Sequence, residues 1–193
     1  QSNEAWFFHT PGLKIAYPAF PSDAKGLLAR AIEDPNPVLF FEHKALYRSI
    51  REEVPTDYFN LPFGVAKLLR EGEDVSIITY GMGVHWALKY LEDHPEVSAD
   101  LLDLRTLAPL DTEAILKSVK HTGKVLILHE DTITGGIAAE ISSIIHEEAF
   151  EHLDATVRRL GSLDTPVPFG ENLEKGFLAN SRLEEVMGEL LAY

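Results

Sequence analysis

From Asp74 onward the chain alternates continuous apolar runs with amphipathic ones. DVSIITY at 74–80 predicts a strand that stops at Gly81, and KVLILH at 124–129 predicts another. Runs this apolar are expected where both faces of a sheet are covered. Ala99–Leu104 and the shorter Ala155–Arg159 predict two further strands. Helices are predicted over Val84–Leu91, Leu110–Lys120, Ile137–Phe150 and Leu183–Leu191. In the second of these, Leu110, Ala114, Ile115 and Val119 share one face, with Asp111 at or near the cap. The pair Gly135-Gly136 leads into the third. Strands in alternation with helices define an α/β fold: a doubly wound, mostly parallel sheet with helices on both faces.

The first 48 residues have a different look. They open on QSNEAWFFHTPG, a polar-aromatic stretch with no helix cap that reads as a loop. A strand over Leu13–Phe20, a helix over Ser22–Glu33 and a strand over Val38–Glu42 follow. One such crossover unit cannot bury both faces of a sheet. It is expected either to pack against something outside the chain or to be one piece of a longer polypeptide. Residues 49–73, with two prolines and scattered acids and aromatics, read as an extended linker, although GVAKLLR at 64–70 suits a short helical turn or a strand. The expected division is therefore 1–48, a linker at 49–73, and a complete domain at 74–193.

Composition narrows the function classes. A net charge of −14 repels phosphate backbones, so nucleic acid is not an expected partner. Zero cysteines remove disulfides and thiolate metal sites. No apolar run approaches the length of a membrane span, and a membrane is not an expected partner either.

Local features offer little independent chemistry. Gly81-Met82-Gly83 follows a strand, but Trp86 stands where a dinucleotide fingerprint needs its third glycine. A tight strand-to-helix turn explains the pair. The eight histidines show no zinc-type spacing, and there is no G-x-S-x-G. His129-Glu130-Asp131 lies at the C-terminal end of a strand, where open sheets place ligands. It is a catalytic candidate for an isolated domain and otherwise a polar cluster at an interface between chains. In AIEDPN at 31–36, Pro35 stops a helix. The freed carbonyls, the Asp34 carboxylate and the Asn36 amide oxygen can converge on a hard cation, or form an ordinary helix end.

Several stretches together resemble one family. They are QSNEAWFFHTPGLK at 1–14, DAKGLLARAIEDPNPVLFFEHKALYR at 23–48, EEVP at 52–55, DLRTLAPLD at 103–111, KHTGKVLILHE at 120–130, TGGIAAEI at 134–141 and LDTPVP at 163–168. Their order and spacing are similar to those of the beta subunit of thiamine-dependent 2-oxo acid dehydrogenases, the decarboxylating component of large complexes. FFEHKALYRS followed by EEVP resembles the branched-chain members more than the pyruvate members. A pyruvate or acetoin dehydrogenase beta subunit remains the alternative, as does a stand-alone, non-catalytic assembly module. The related transketolase-type synthase is disfavoured by IEDPNP and EHKALYR.

The resemblance implies a tail of a pyrimidine-binding α/β domain followed by a transketolase C-terminal-like domain. It implies a complete enzyme that oxidatively decarboxylates a branched-chain 2-oxo acid with thiamine diphosphate and Mg2+ and passes the acyl group to a lipoyl group. The family's histidine belongs to a His-Ser-Gln-Ser stretch whose last two residues match Gln1-Ser2, so it is expected two residues before Gln1. No catalytic or cofactor-binding residue carries over to this chain, which alone is expected to be inactive. A potassium site carries over: the backbone carbonyl at Ala31, with Asp34 and Asn36. The implied partners are an alpha subunit and a second beta subunit, in a heterotetramer, and the dihydrolipoyl acyltransferase component. Leu190, Leu191 and Tyr193 are the candidate docking residues for the last. The implied compartment is the bacterial cytoplasm, with the mitochondrial matrix as the alternative.

Overall fold

The computed structural model of the chain describes residues 2–193; Gln1 lies outside them. The order of elements is α1 (Glu4–Phe8), β1 (Lys14–Ala16), α2 (Pro21–Glu33), β2 (Val38–Phe40), α3 (Leu46–Ser49), β3 (Lys67–Arg70), β4 (Val75–Thr79), α4 (Met82–Asp93), β5 (Ala99–Asp103), β6 (Thr106–Ala108), α5 (Thr112–Thr122), β7 (Val125–Thr132), α6 (Ile137–Ala149), β8 (Arg158–Ser162), α7 (Glu171–Phe177) and α8 (Leu183–Leu191). Short 3₁₀ turns at Phe150–His152 and Ala179–Arg182 follow α6 and precede α8.

The strands form a five-stranded sheet of order β3-β5-β4-β7-β8 and a three-stranded sheet of order β2-β1-β6. In the larger sheet β5, β4, β7 and β8 are parallel, and β3 adds an antiparallel edge. Period-2 alternation sorts its side chains between two cores. Ile78, Tyr80, Val125 and Ile127 face α5 and α6, together with Ile115, Ile141 and Ile145. Val75, Ile77, Leu126 and Leu128 face α4 and α8, with Leu91, Met187 and Leu190. Burial on both faces is why these strands carry no polar alternation. The doubly wound sheet is the one expected from the sequence.

Local chemistry sets several boundaries. Asp111 caps α5 by accepting from the Ala114 N–H at 3.0 Å, and Gly123 ends it in the left-handed region at φ 70°. Pro21 opens α2, where its missing N–H costs nothing, and Pro35 prevents its continuation.

Other boundaries differ from expectation. The opening stretch is not a loop: Glu4–Phe8 forms a short helix although Asn3 makes no side-chain cap, because Ala5 and Phe8 pack into the core and Glu4 is buried. The first strand is limited to Lys14–Ala16 rather than reaching Phe20, since Pro18 offers no N–H to a ladder. The last strand is shifted to Arg158–Ser162, where Leu160, Gly161 and Ser162 are the buried positions. Within the stretch read as a linker, Lys67–Arg70 is a sheet strand paired with β5. The strand β6 went unforeseen, and it is the one that joins β1 to the rest of the molecule.

Candidate functional site at the strand ends

The chain runs from β4 to β5 on one side and returns to β7 on the other, so β4 and β7 flank the switch point of the sheet. Beyond the C-terminal ends of such strands lies the crevice where open α/β sheets take ligands. Here the rim consists of Tyr80 and Gly81 after β4 and His129, Glu130 and Asp131 in β7.

The crevice is filled by the chain itself. Glu4 of α1 has no exposed surface and accepts a 2.8 Å hydrogen bond from the Tyr80 hydroxyl. The Tyr80 ring lies parallel to His129, with centroids 6.5 Å apart, and meets Tyr17 at 5.4 Å. His43, from the loop after β2, contacts Glu130 through Nε2 at 3.0 Å, and the Ser2 hydroxyl donates to the same carboxylate at 3.0 Å. Gly81 is at φ 54°, and a Cβ there would stand 2.9 Å from the Tyr17 ring. A Cβ on Gly83 would stand 2.2 Å from Thr79 Oγ1. This glycine pair is spent on packing and leaves no cradle for a diphosphate.

Burial controls the charges. It pushes the Glu4 carboxyl up to about 7, against the opposing hydrogen bonds from its own backbone and Tyr80; the nearby Asp131 and Glu130 charges push the same way as burial. His129 is pulled down to about 4, first by burial, and neither ring nitrogen has a partner among the described residues. Burial alone would raise Glu130, but the His43 contact and the Ser2 hydroxyl bring it below the ordinary carboxylate range. Asp131 is raised, first by burial. The cluster therefore holds a Glu4 carboxyl that titrates near 7 and a His129 kept neutral, beside the His43–Glu130 contact. It has no activated nucleophile, and among the described residues no group of three or more His, Asp or Glu side chains is placed to bind a metal ion. Within this chain, His129-Glu130-Asp131 lies between the N-terminal segment and the large sheet.

A second cluster ties the same two parts. Arg105, at φ 57°, donates to the buried Asp23 of α2 at 2.6 Å, and Lys67 stands 3.9 Å from that carboxylate. Asp103 accepts from the Arg105 N–H at 3.0 Å, and its carboxyl is pushed up to about 7, first by burial. Sequence reasoning missed Glu4, His43, Tyr80 and the Asp23–Arg105 pair, because each depends on a pairing across the molecule that no local spacing encodes.

The carried-over positions fare unequally. Ala31 lies in the last turn of α2, and Pro35, four residues on, has no N–H to offer its carbonyl. Asp34 and Asn36 do meet, but through two hydrogen bonds from Asn36 to Asp34 Oδ1, at 3.0 and 3.1 Å. Asp34 Oδ2 is held by Lys14 at 2.5 Å and Arg30 at 3.4 Å. An ionised carboxylate offers about four acceptor positions, and here four donors fill them. This arrangement does not fit a potassium ion. At the other end, Leu190 is fully buried under the sheet, Leu191 is half-buried, and Tyr193 is exposed. A partner can reach Tyr193 without unfolding α8; it cannot reach Leu190.

Residues 64–182, which contain the parallel sheet wound on both faces, match the transketolase C-terminal domain, and the chain belongs to that family; residues 1–49 match the transketolase pyrimidine binding domain. Within it the chain is similar to beta subunits of 2-oxo acid dehydrogenases. It is 48% identical over 197 residues to the 2-oxoisovalerate dehydrogenase subunit beta of Bacillus subtilis, covering 100% of this chain and 60% of that protein. The mitochondrial 2-oxoisovalerate dehydrogenase subunit beta of Dictyostelium discoideum is 46% identical over 171 residues, 87% of this chain and 46% of that one. The pyruvate dehydrogenase E1 component subunit beta of Bacillus subtilis is 44% identical over 163 residues, 83% and 50% of the two chains. Among solved structures, a split gene transketolase described as an inactive beta4 tetramer superposes with a TM-score of 0.77 at 24% identity, over 97% of this chain and 60% of that chain, a likeness of fold. The chain thus spans about half to three fifths of the length of these relatives.

Proposed function

We propose that the chain is the C-terminal portion of the beta subunit of a thiamine diphosphate-dependent 2-oxo acid dehydrogenase, of the branched-chain type, and that this portion serves assembly rather than chemistry. The observation that carries the assembly role is the filled switch point: Glu4 and its neighbours occupy the place where this fold otherwise takes a ligand. The likeness to 2-oxoisovalerate dehydrogenase beta subunits in a bacterium and in two mitochondrial forms supports the substrate class, and either compartment suits it. Thiamine diphosphate with Mg2+ supplies the electron sink for decarboxylation in such an enzyme. The described residues do not offer a cradle for it, so no step is assigned to them.

An assembly role suits the surface. Trp6 is 78% and Phe169 98% exposed, and both border one cleft that also reaches Glu130. Exposed aromatics beside a cleft mark surfaces that partners cover. In this reading they meet an alpha subunit or a second beta subunit, and the acidic chain with its exposed Tyr193 meets a basic docking segment of the acyltransferase component.

Two measurements on the purified chain test the reading. Calorimetric titration with thiamine diphosphate and Mg2+ should give no sub-micromolar binding. Co-expression with an alpha subunit of the branched-chain type should retain that subunit on the chain, and Trp6→Ser together with Phe169→Ser should weaken the retention without lowering the melting temperature. Tight cofactor binding by the chain alone would sink the assembly assignment.

A further inference from the structure

The loop between α2 and β2 is held by a positive charge that the chain itself provides. β1 and β2 run in parallel with Lys14 opposite Val38, and the Lys14 N–H donates to the Pro37 carbonyl at 3.2 Å. The first residue of β1 thus lies beside the loop that leads into β2. Its side chain extends to Asp34, whose own side chain has no exposed surface, and places Nζ 2.5 Å from Oδ2. The ammonium also lies 5.9 Å from the centre of the Phe63 ring, within range of a cation–π contact. Arg30, one helical turn before Asp34, brings a second positive charge to the same oxygen at 3.4 Å. Asn36 closes the loop with two N–H donors on the other oxygen.

We propose that the Lys14 ammonium, rather than a bound metal ion, is the cation of this loop. All acceptor positions of Asp34 are filled, so a potassium ion would have to displace the ammonium. It would also stand within a few ångströms of Arg30 and of the displaced lysine, a like-charge arrangement that costs free energy in any dielectric. A built-in cation has one physical consequence: the loop's stability does not follow the concentration of any free ion. An ion that bound only the folded state would raise stability with its concentration. This inference is independent of the proposed function, since it concerns only how one loop is held.

Thermal melting of the chain in potassium chloride and in tetramethylammonium chloride, at equal ionic strength, tests it. The wild-type melting temperature should be the same in the two salts. Lys14→Met should melt several degrees lower than wild type in the organic salt, whereas Lys14→Arg, which keeps a cation at the site, should recover most of that loss. A wild-type chain that is more stable in potassium than in the organic cation overturns the proposal, and so does a Lys14→Met chain as stable as wild type in the organic salt. The wild-type comparison needs no variant, so a Lys14→Met chain that fails to fold leaves the decision intact.

Discussion

Glu4 is protonated more readily in the folded chain than in the unfolded one, because burial raises its carboxyl from 4.5 to about 7. Its contribution to stability is therefore complete below its ordinary range and is lost as pH rises through about 7. Asp103 acts in the same direction between 3.8 and about 7. His129 acts in the opposite one: it is kept neutral by burial, and its contribution is lost as pH falls from 6.5 through about 4. Below 6.5 the histidine offsets one of the two acids; above it the acids act alone. Wild-type stability should consequently fall between pH 6.5 and 8. Glu4→Gln keeps a polar partner for Tyr80 and removes the titration. At pH 8 it should exceed wild type by up to roughly 3 kcal/mol, the linkage equivalent of that shift. Urea denaturation at pH 6 and pH 8 measures the difference, and parallel pH profiles for the two proteins would refute the account. At this scale the sequence was only partly legible. His129-Glu130-Asp131 stood out because strand ends are where such sheets do their work. Glu4 and Lys14 did not, because their meaning lies in which strand and which tyrosine the fold brings to them.

Elements with a complete local code were read closely: α8 falls on its expected residues, and α5 begins where Asp111 can cap it. Asp111 also reaches outside its helix. Its Oδ2 accepts from the Ala66 N–H at 2.8 Å, so the cap anchors the approach to β3 as well. Asp111→Ala should therefore cost more than an ordinary cap, about 1–2 kcal/mol, and lower the melting temperature by roughly 2–4 °C for each kcal/mol. Asp111→Asn should recover part of it; a melting temperature unchanged in the alanine variant would remove the second anchor from the account. Elements whose code is not local were read in part or missed: the stretch of β3 suited a helical turn as well as a strand, and β6 was not expected. β3 and β6 are three or four residues long and lack a period of their own, and each exists because a longer neighbour offers it a ladder. The short α1 is a helix because its side chains have a core to enter, against the advice of its cap.

For the whole molecule the question is which part can stand alone. Residues 64–193 contain the full five-stranded sheet, one of its cores whole and most of the other, and they are expected to melt cooperatively as a fragment, at a lower temperature than the whole chain. Residues 1–63 are expected to show no cooperative melt. Calorimetry on the two fragments decides this, and a melt confined to the intact chain would show that the boundary is wrong. The β1–β6 pairing gives that outcome a temporal meaning. Ile15 aligns with Ala108, and between them the ribosome must add β3, β4 and β5. A growing chain therefore carries β1 through the synthesis of β3, β4 and β5 without the antiparallel strand that pairs with it. Contacts this distant in sequence form late and slowly, and an unfinished strand pair exposes edge hydrogen-bonding groups in the meantime. Until β6 emerges that edge of β1 stays unpaired, and during that interval the nascent chain is open to wrong partners and in need of a chaperone's cover.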